Sequence, residues 1–164
     1  WLIVDSMGPA LTTYTAQNIG AGKQHRAKTG ALVGTGISVL AVGLISVVLY
    51  FGSGVIGPWF IAKKDVDALI PLVVRYMRMM APFFVFYAVA EAYSGACCGL
   101  GETLVPMITT LLTICLFRVV AIFALLPKFG TMECIVRIYI ASWILAGCAF
   151  VVLYSVKERK LHRM

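Results

Sequence analysis

One carboxylate stands in the most apolar part of the chain. Between Met79 and Cys98 the only charged side chain is Glu91, in a run of apolar and small residues long enough to cross a bilayer. A carboxylate at that depth is costly, and it is retained where it faces a protein interior, a cavity or a cation path. At helical spacing Phe84, Tyr87, Glu91, Ser94 and Cys98 fall on one face. That face aligns a ring, a phenol, an acid and a hydroxyl, so a transport or ion-binding helix is expected. The competing role for Glu91 is a structural hydrogen bond, with Arg118 as its partner. Tyr87 either offers its ring to an organic cation or packs between helices.

The elements that hold this face are membrane segments. Of the 164 residues 61% are hydrophobic and 13% charged, with a mean hydropathy of +0.94. Soluble domains are about 45–50% apolar and about 25% charged. A water-soluble globule is therefore excluded. The net charge of +7 would suggest nucleic acid in a soluble protein. Here the basic residues sit at the ends of apolar runs, as membrane topology requires, and no nucleic-acid motif accompanies them. The five cysteines lie in or beside apolar runs without metal-ligand spacing, and Cys97–Cys98 reads as small packing residues.

Five crossings are expected, over about residues 1–19, 31–51, 71–98, 104–126 and 134–156. The fold class is thus an all-α integral membrane protein, a bundle of about five transmembrane helices, with a tail at 157–164. The chain opens on Trp1 within an apolar stretch and reads as a piece beginning partway through a membrane protein. In the first segment Asp5, Pro9, Thr12, Thr13 and Gln17 share a stripe that fits poorly against lipid, so it is expected to pack or line a cavity. Gly20 and Gly22 stop that helix. Gly30 and Gly34, four apart, permit close helix contact in the second segment. Trp59 and Phe60 beside Lys63, Lys64, Asp65 and Asp67 suggest an interfacial amphipathic element.

In the fourth segment the threonines are expected to bond to backbone carbonyls. Arg118 either snorkels to the interface or pairs with a buried acid. Glu133 and Arg137, four apart, are expected to pair at the start of the fifth segment. Gly95 and Gly99 allow tight packing or bending, and Glu102 and Thr103 begin the fourth helix. Consecutive crossings put Lys23, Arg26, Lys28 and the basic tail on one side, which is expected to be cytoplasmic.

Two blocks carry a family resemblance. The first is Gln17-Asn18-Ile19-Gly20-Ala21-Gly22-Lys23; the second is Gly95-Ala96-Cys97-Cys98-Gly99-Leu100-Gly101-Glu102-Thr103 with Pro106-Met107. In these, and in the position of Arg118, the chain resembles the C-terminal half of a multidrug and toxic compound extrusion (MATE) transporter. That family usually shows Gln-x-x-Gly-Ala-Gly in the first place and Gly-x-x-Arg-Gly-x-Gly-Asp-Thr-x-x-Pro in the second. Here the arginine is Cys98 and the aspartate Glu102.

The resemblance implies twelve helices in two six-helix lobes around a substrate cavity, of which these segments are the last five. It implies antiport of amphipathic or cationic compounds for sodium ions or protons, with no other cofactor. The partners would be the lipid bilayer, the N-terminal lobe of the same polypeptide and small organic substrates. The location would be the plasma membrane, as a multi-pass protein. The family's tenth-helix acid falls on Tyr87, and Glu91 lies one turn further along the same face. Glu91 and Asp5 are the candidates for cation or proton coupling, with a sodium ion near Glu91. Tyr87, Ser94, Thr12, Thr13, Gln17 and Arg118 are candidates to line the cavity; Gly20, Gly22, Gly95, Gly99 and Pro106 are structural. Two other functions compete. A lipid-linked saccharide flippase predicts a basic cavity, for which only Arg118 is a candidate. A non-transporting membrane scaffold predicts that Glu91 and Asp5 are dispensable. No nucleophile–base pair or metal cluster appears in the membrane segments, so an enzyme is not expected.

Overall fold

A computed structural model describes residues 2–61 and 66–161. Helix α1 spans Leu2–Gly20, α2 Gln24–Ile56, α3 Val66–Met80, α4 Phe84–Gly99, α5 Leu104–Thr110, α6 Phe117–Phe129 and α7 Met132–Leu161. Short 3-10 turns at Gly57–Phe60 and Ala81–Phe83 follow α2 and α3, and a π-helical stretch, Leu111–Leu116, joins α5 to α6. No strand occurs among the described residues.

Four stretches are long and apolar enough to cross a membrane: Gln24–Phe60, Leu69–Gly99, Leu104–Phe129 and Met132–Arg159. The first expected crossing forms a helix of 19 residues, α1, but is not among these four. Its Asp5, threonines and Gln17 lower its apolar content, and it packs against α2 and α4. The expected third and fourth segments are each interrupted. Pro82 sits in the 3-10 turn between α3 and α4, where its missing N–H and its ring disrupt the α-helical ladder.

Two turns depend on backbone that only glycine adopts readily. Gly22 has φ +70° and lets Lys23 N–H reach the Asn18 carbonyl at 2.8 Å. Gly101 has φ +87° between α4 and α5. Helix α2 starts at Gln24, seven residues before the apolar segment, because intrahelical hydrogen bonding continues past the bilayer edge. The same reason carries α7 into the basic tail, as far as Leu161.

Ion pairs tie both ends of the bundle. At one end Lys28 on α2 meets Glu158 on α7 at 2.5 Å, and neighbouring Lys157 pairs with Glu102 in the α4–α5 turn. At the other, Arg75 on α3 pairs with Glu133 on α7. The expected Glu133–Arg137 pair is thus corrected: a tertiary partner takes the carboxylate. Trp59 and Phe60 are exposed in their 3-10 turn, while Lys63, Lys64 and Asp65 lie outside the described residues, as does Trp1.

The interior is built from small side chains. Ala31, Ala88, Ala92, Ala96 and Ala146 are almost fully buried, whereas Leu32, Leu40, Leu44, Phe123 and Val152 point outward. This inversion follows from the solvent. Lipid is as apolar as leucine, so helices gain by close backbone approach and not by hiding large side chains. Hydroxyls in this setting bond locally: Thr35 donates to the Ala31 carbonyl, Thr109 to Val105 and Thr113 to Thr109, each at 2.8 Å.

Candidate functional site

The site grows from the contact between α1 and α4. Gly8 on α1 lies against Gly95 on α4, so closely that a Cβ on Gly95 would collide with the Gly8 carbonyl. One turn along, a Cβ on Gly99 would stand 2.6 Å from the Thr12 carbonyl oxygen. Thr12 stitches the seam, its hydroxyl 2.9 Å from the Gly95 carbonyl and 3.0 Å from its own Gly8 carbonyl. Helix α2 closes on α1 likewise: Tyr14 and Leu11 fill the spaces over Gly30 and Gly34.

Glu91 is directed into this seam. A methyl on Gly8 would lie 2.7 Å from its Oε1, so the absence of a side chain there makes room for the carboxylate. Among the described residues no hydrogen bond or ion pair engages that carboxylate. Asp5, three residues before Gly8, lies within electrostatic reach of it, although its own side chain is exposed. The α1–α4 contact thus brings together the two acids that stand 86 residues apart in the chain. Two carboxylates on adjoining helices concentrate negative charge at the seam.

Tyr87 occupies the next position. It stands in the fields of Glu91, Asp5 and Arg118. Together with Phe84 it also lines an apolar cleft of about 830 Å³ formed by the start of α1, the second half of α2, the Gly57–Phe60 turn and α3. Of the polar candidates from the sequence, Tyr87 is the one that lines this cleft. Ser94 is half-buried on α4, Thr12 is engaged at the seam, and Thr13 and Gln17 lie on the exposed side of α1, whose buried face is Val4, Gly8, Leu11 and Thr15.

Arg118 stands within electrostatic reach of Tyr87, and its Nε donates to Ser142 Oγ at 2.8 Å. Its guanidinium carbon lies 4.1 Å from the centre of the Tyr139 ring and 5.9 Å from that of Trp143. No described acid forms an ion pair with it. Anchoring on α7 takes the place of the acid partner that was one of the two alternatives expected from the sequence. Trp143 is 2% exposed and touches α4 through Phe84, ring centres 5.4 Å apart, and Tyr87, 6.3 Å apart.

The MatE family model matches residues 2–123. The chain belongs to the MatE family. The match takes in both glycine blocks, Glu91, Asp5, Tyr87 and Arg118, ends within α6 and leaves all of α7 outside. Members of the MatE family are membrane transporters and not enzymes. No curated protein matches this chain. Three parts of this candidate site escaped sequence reasoning: Gly8, Ser142 and the packing of Trp143 behind Phe84 and Tyr87. For Gly8 a signal was present, because Gly8 and Thr12 on α1 repeat the four-residue spacing of Gly95 and Gly99 on α4. For Ser142 and Trp143 the spacing carries none, since only the packing of α6 on α7 brings Arg118 to them.

Proposed function

We propose that this MatE chain is part of a secondary active exporter that exchanges sodium ions or protons for amphipathic, often cationic compounds by alternating access. The observation that carries the reading is the Glu91 carboxylate, turned into the α1–α4 seam opposite Gly8 with Asp5 nearby and no cationic partner among the described residues. Glu91 and Asp5 supply the negative charge for the coupling ion. Tyr87 links that charge to an apolar cleft large enough for a drug-sized body. The exporter sits in the plasma membrane with the Lys28–Glu158 end cytoplasmic, and the N-terminal lobe of the same polypeptide completes the cavity.

The test uses the complete transporter. Cells expressing it are loaded with ethidium, and accumulation is followed with and without sodium and across external pH. Glu91→Gln is expected to abolish the response of export to the coupling ion. Unchanged export with unchanged ion dependence in that variant overturns the reading and favours a scaffold.

A further inference from the structure

The Arg118 guanidinium is held in a way that the export reading does not by itself explain. It leaves α6 just after the π-helical stretch and is fixed at three points on α7: the Ser142 hydroxyl at 2.8 Å, the Tyr139 ring at 4.1 Å and the Trp143 ring at 5.9 Å. Ser142 is itself fixed, because its hydroxyl donates to the Tyr139 carbonyl at 2.7 Å. Trp143 meets Tyr139 edge-on at 84° on one side and Phe84 at 64° on the other. Phe84 and Tyr87 are the two rings that α4 presents to the cleft. A continuous set of contacts therefore runs from Arg118 through Trp143 to the cleft wall. A side chain so long and polar, placed inside an apolar bundle, is retained for a purpose.

We infer that Arg118 is a positioning residue of the export site: acting through Tyr139 and Trp143, it sets the stance of Phe84 and Tyr87 against the bound compound. The inference rests on the export reading for its transport consequence, but its structural content stands apart from it. Arginine suits the role better than lysine. Its planar guanidinium stacks on rings while Nε donates in the same plane, whereas an ammonium gives a point charge without that orientation. Arg118 does not enter the cleft lining, so its influence falls on how well the compound is held and not on the coupling ion at Glu91.

The experiment uses the full-length transporter with Arg118→Lys, Ser142→Ala and Tyr139→Phe. Two readouts are taken: the KM and maximal rate of ethidium export, and the tryptophan emission assigned to Trp143 by difference from Trp143→Phe. Arg118→Lys is expected to raise KM roughly tenfold at a near-normal maximal rate and unchanged ion dependence, in keeping with loss of a desolvated ring contact. Ser142→Ala moves KM the same way by a smaller factor, and Tyr139→Phe, which keeps the ring, stays near wild type. Both Arg118→Lys and Ser142→Ala shift the Trp143 emission. A fall in maximal rate alone, or lost ion dependence in Arg118→Lys, overturns the inference. If Arg118→Lys does not fold, Ser142→Ala carries both readouts. Wild-type protein that exports no ethidium counts against the export reading, and the emission of Trp143 then decides the positioning role: an unshifted band in both variants overturns it.

Discussion

The hydroxyl of Thr12 lies 2.9 Å from the carbonyl of Gly95, joining two helices whose backbones nearly touch. Such a bond has value in lipid because neither group finds water to replace the other, although measured interhelical hydrogen bonds in membranes average only about 0.6 kcal/mol. The larger part of the stabilisation comes from the close approach that Gly8, Gly95 and Gly99 permit.

Gly95→Ala tests that approach. Its new methyl meets the rigid Gly8 carbonyl, so the helices separate and the fold loses roughly 1–3 kcal/mol, as overpacked sites do. Gly36→Ala, where no atom lies within 4 Å, is the control and gains about 0.5–1 kcal/mol from helix propensity. Thermal unfolding of the purified transporter in detergent distinguishes them; equal midpoints for the two would discard the seam.

Gly8→Ala has a different consequence. Its methyl meets the end of a flexible side chain, the Glu91 carboxylate at 2.7 Å, which can swing aside. The protein is expected to fold nearly as well as wild type yet need a severalfold higher concentration of coupling ion for half-maximal ethidium export. A large loss of thermal stability with normal ion dependence would contradict this assignment.

The paired acids and bases at the end of α7 give a third prediction. Lys157 reaches Glu102 while its neighbour Glu158 reaches Lys28, so one turn of helix clamps two different connections. Reversing one charge, as in Glu102→Lys, is expected to cost roughly 0.2–1 kcal/mol, since these groups are partly exposed. The double exchange Glu102→Lys with Lys157→Glu recovers most of it, and the difference shrinks in high salt. A double variant no better than the singles in thermal melts would show the pair to be incidental.

The bundle was legible because lipid imposes a simple rule: an apolar run of the right length is a crossing. The ends were less so. Helix α2 runs through Gln24–Lys28 and α7 through the tail because hydropathy marks the bilayer and not the hydrogen-bond ladder. Glu91 stood out as a lone charge, and its face was readable from the helical period. The Glu133 partner Arg75 was not readable, since it comes from another helix, and Gly8 was marked only by its four-residue spacing from Thr12, which does not show that it faces Glu91. Arg118 was visible as an oddity, but its destination on α7 depends on how α6 is rotated.

That rotation has a local origin. A π-helical stretch such as Leu111–Leu116 takes up one residue more than the α-helix it interrupts. Each residue of an α-helix advances the phase by about 100°. Everything after the stretch is therefore turned by about that angle relative to an unbroken rod. In a rod in phase with α5, the arginine at position 118 would look about a quarter-turn away from Ser142. The surplus residue acts as the helix's compass, and it points Arg118 at α7.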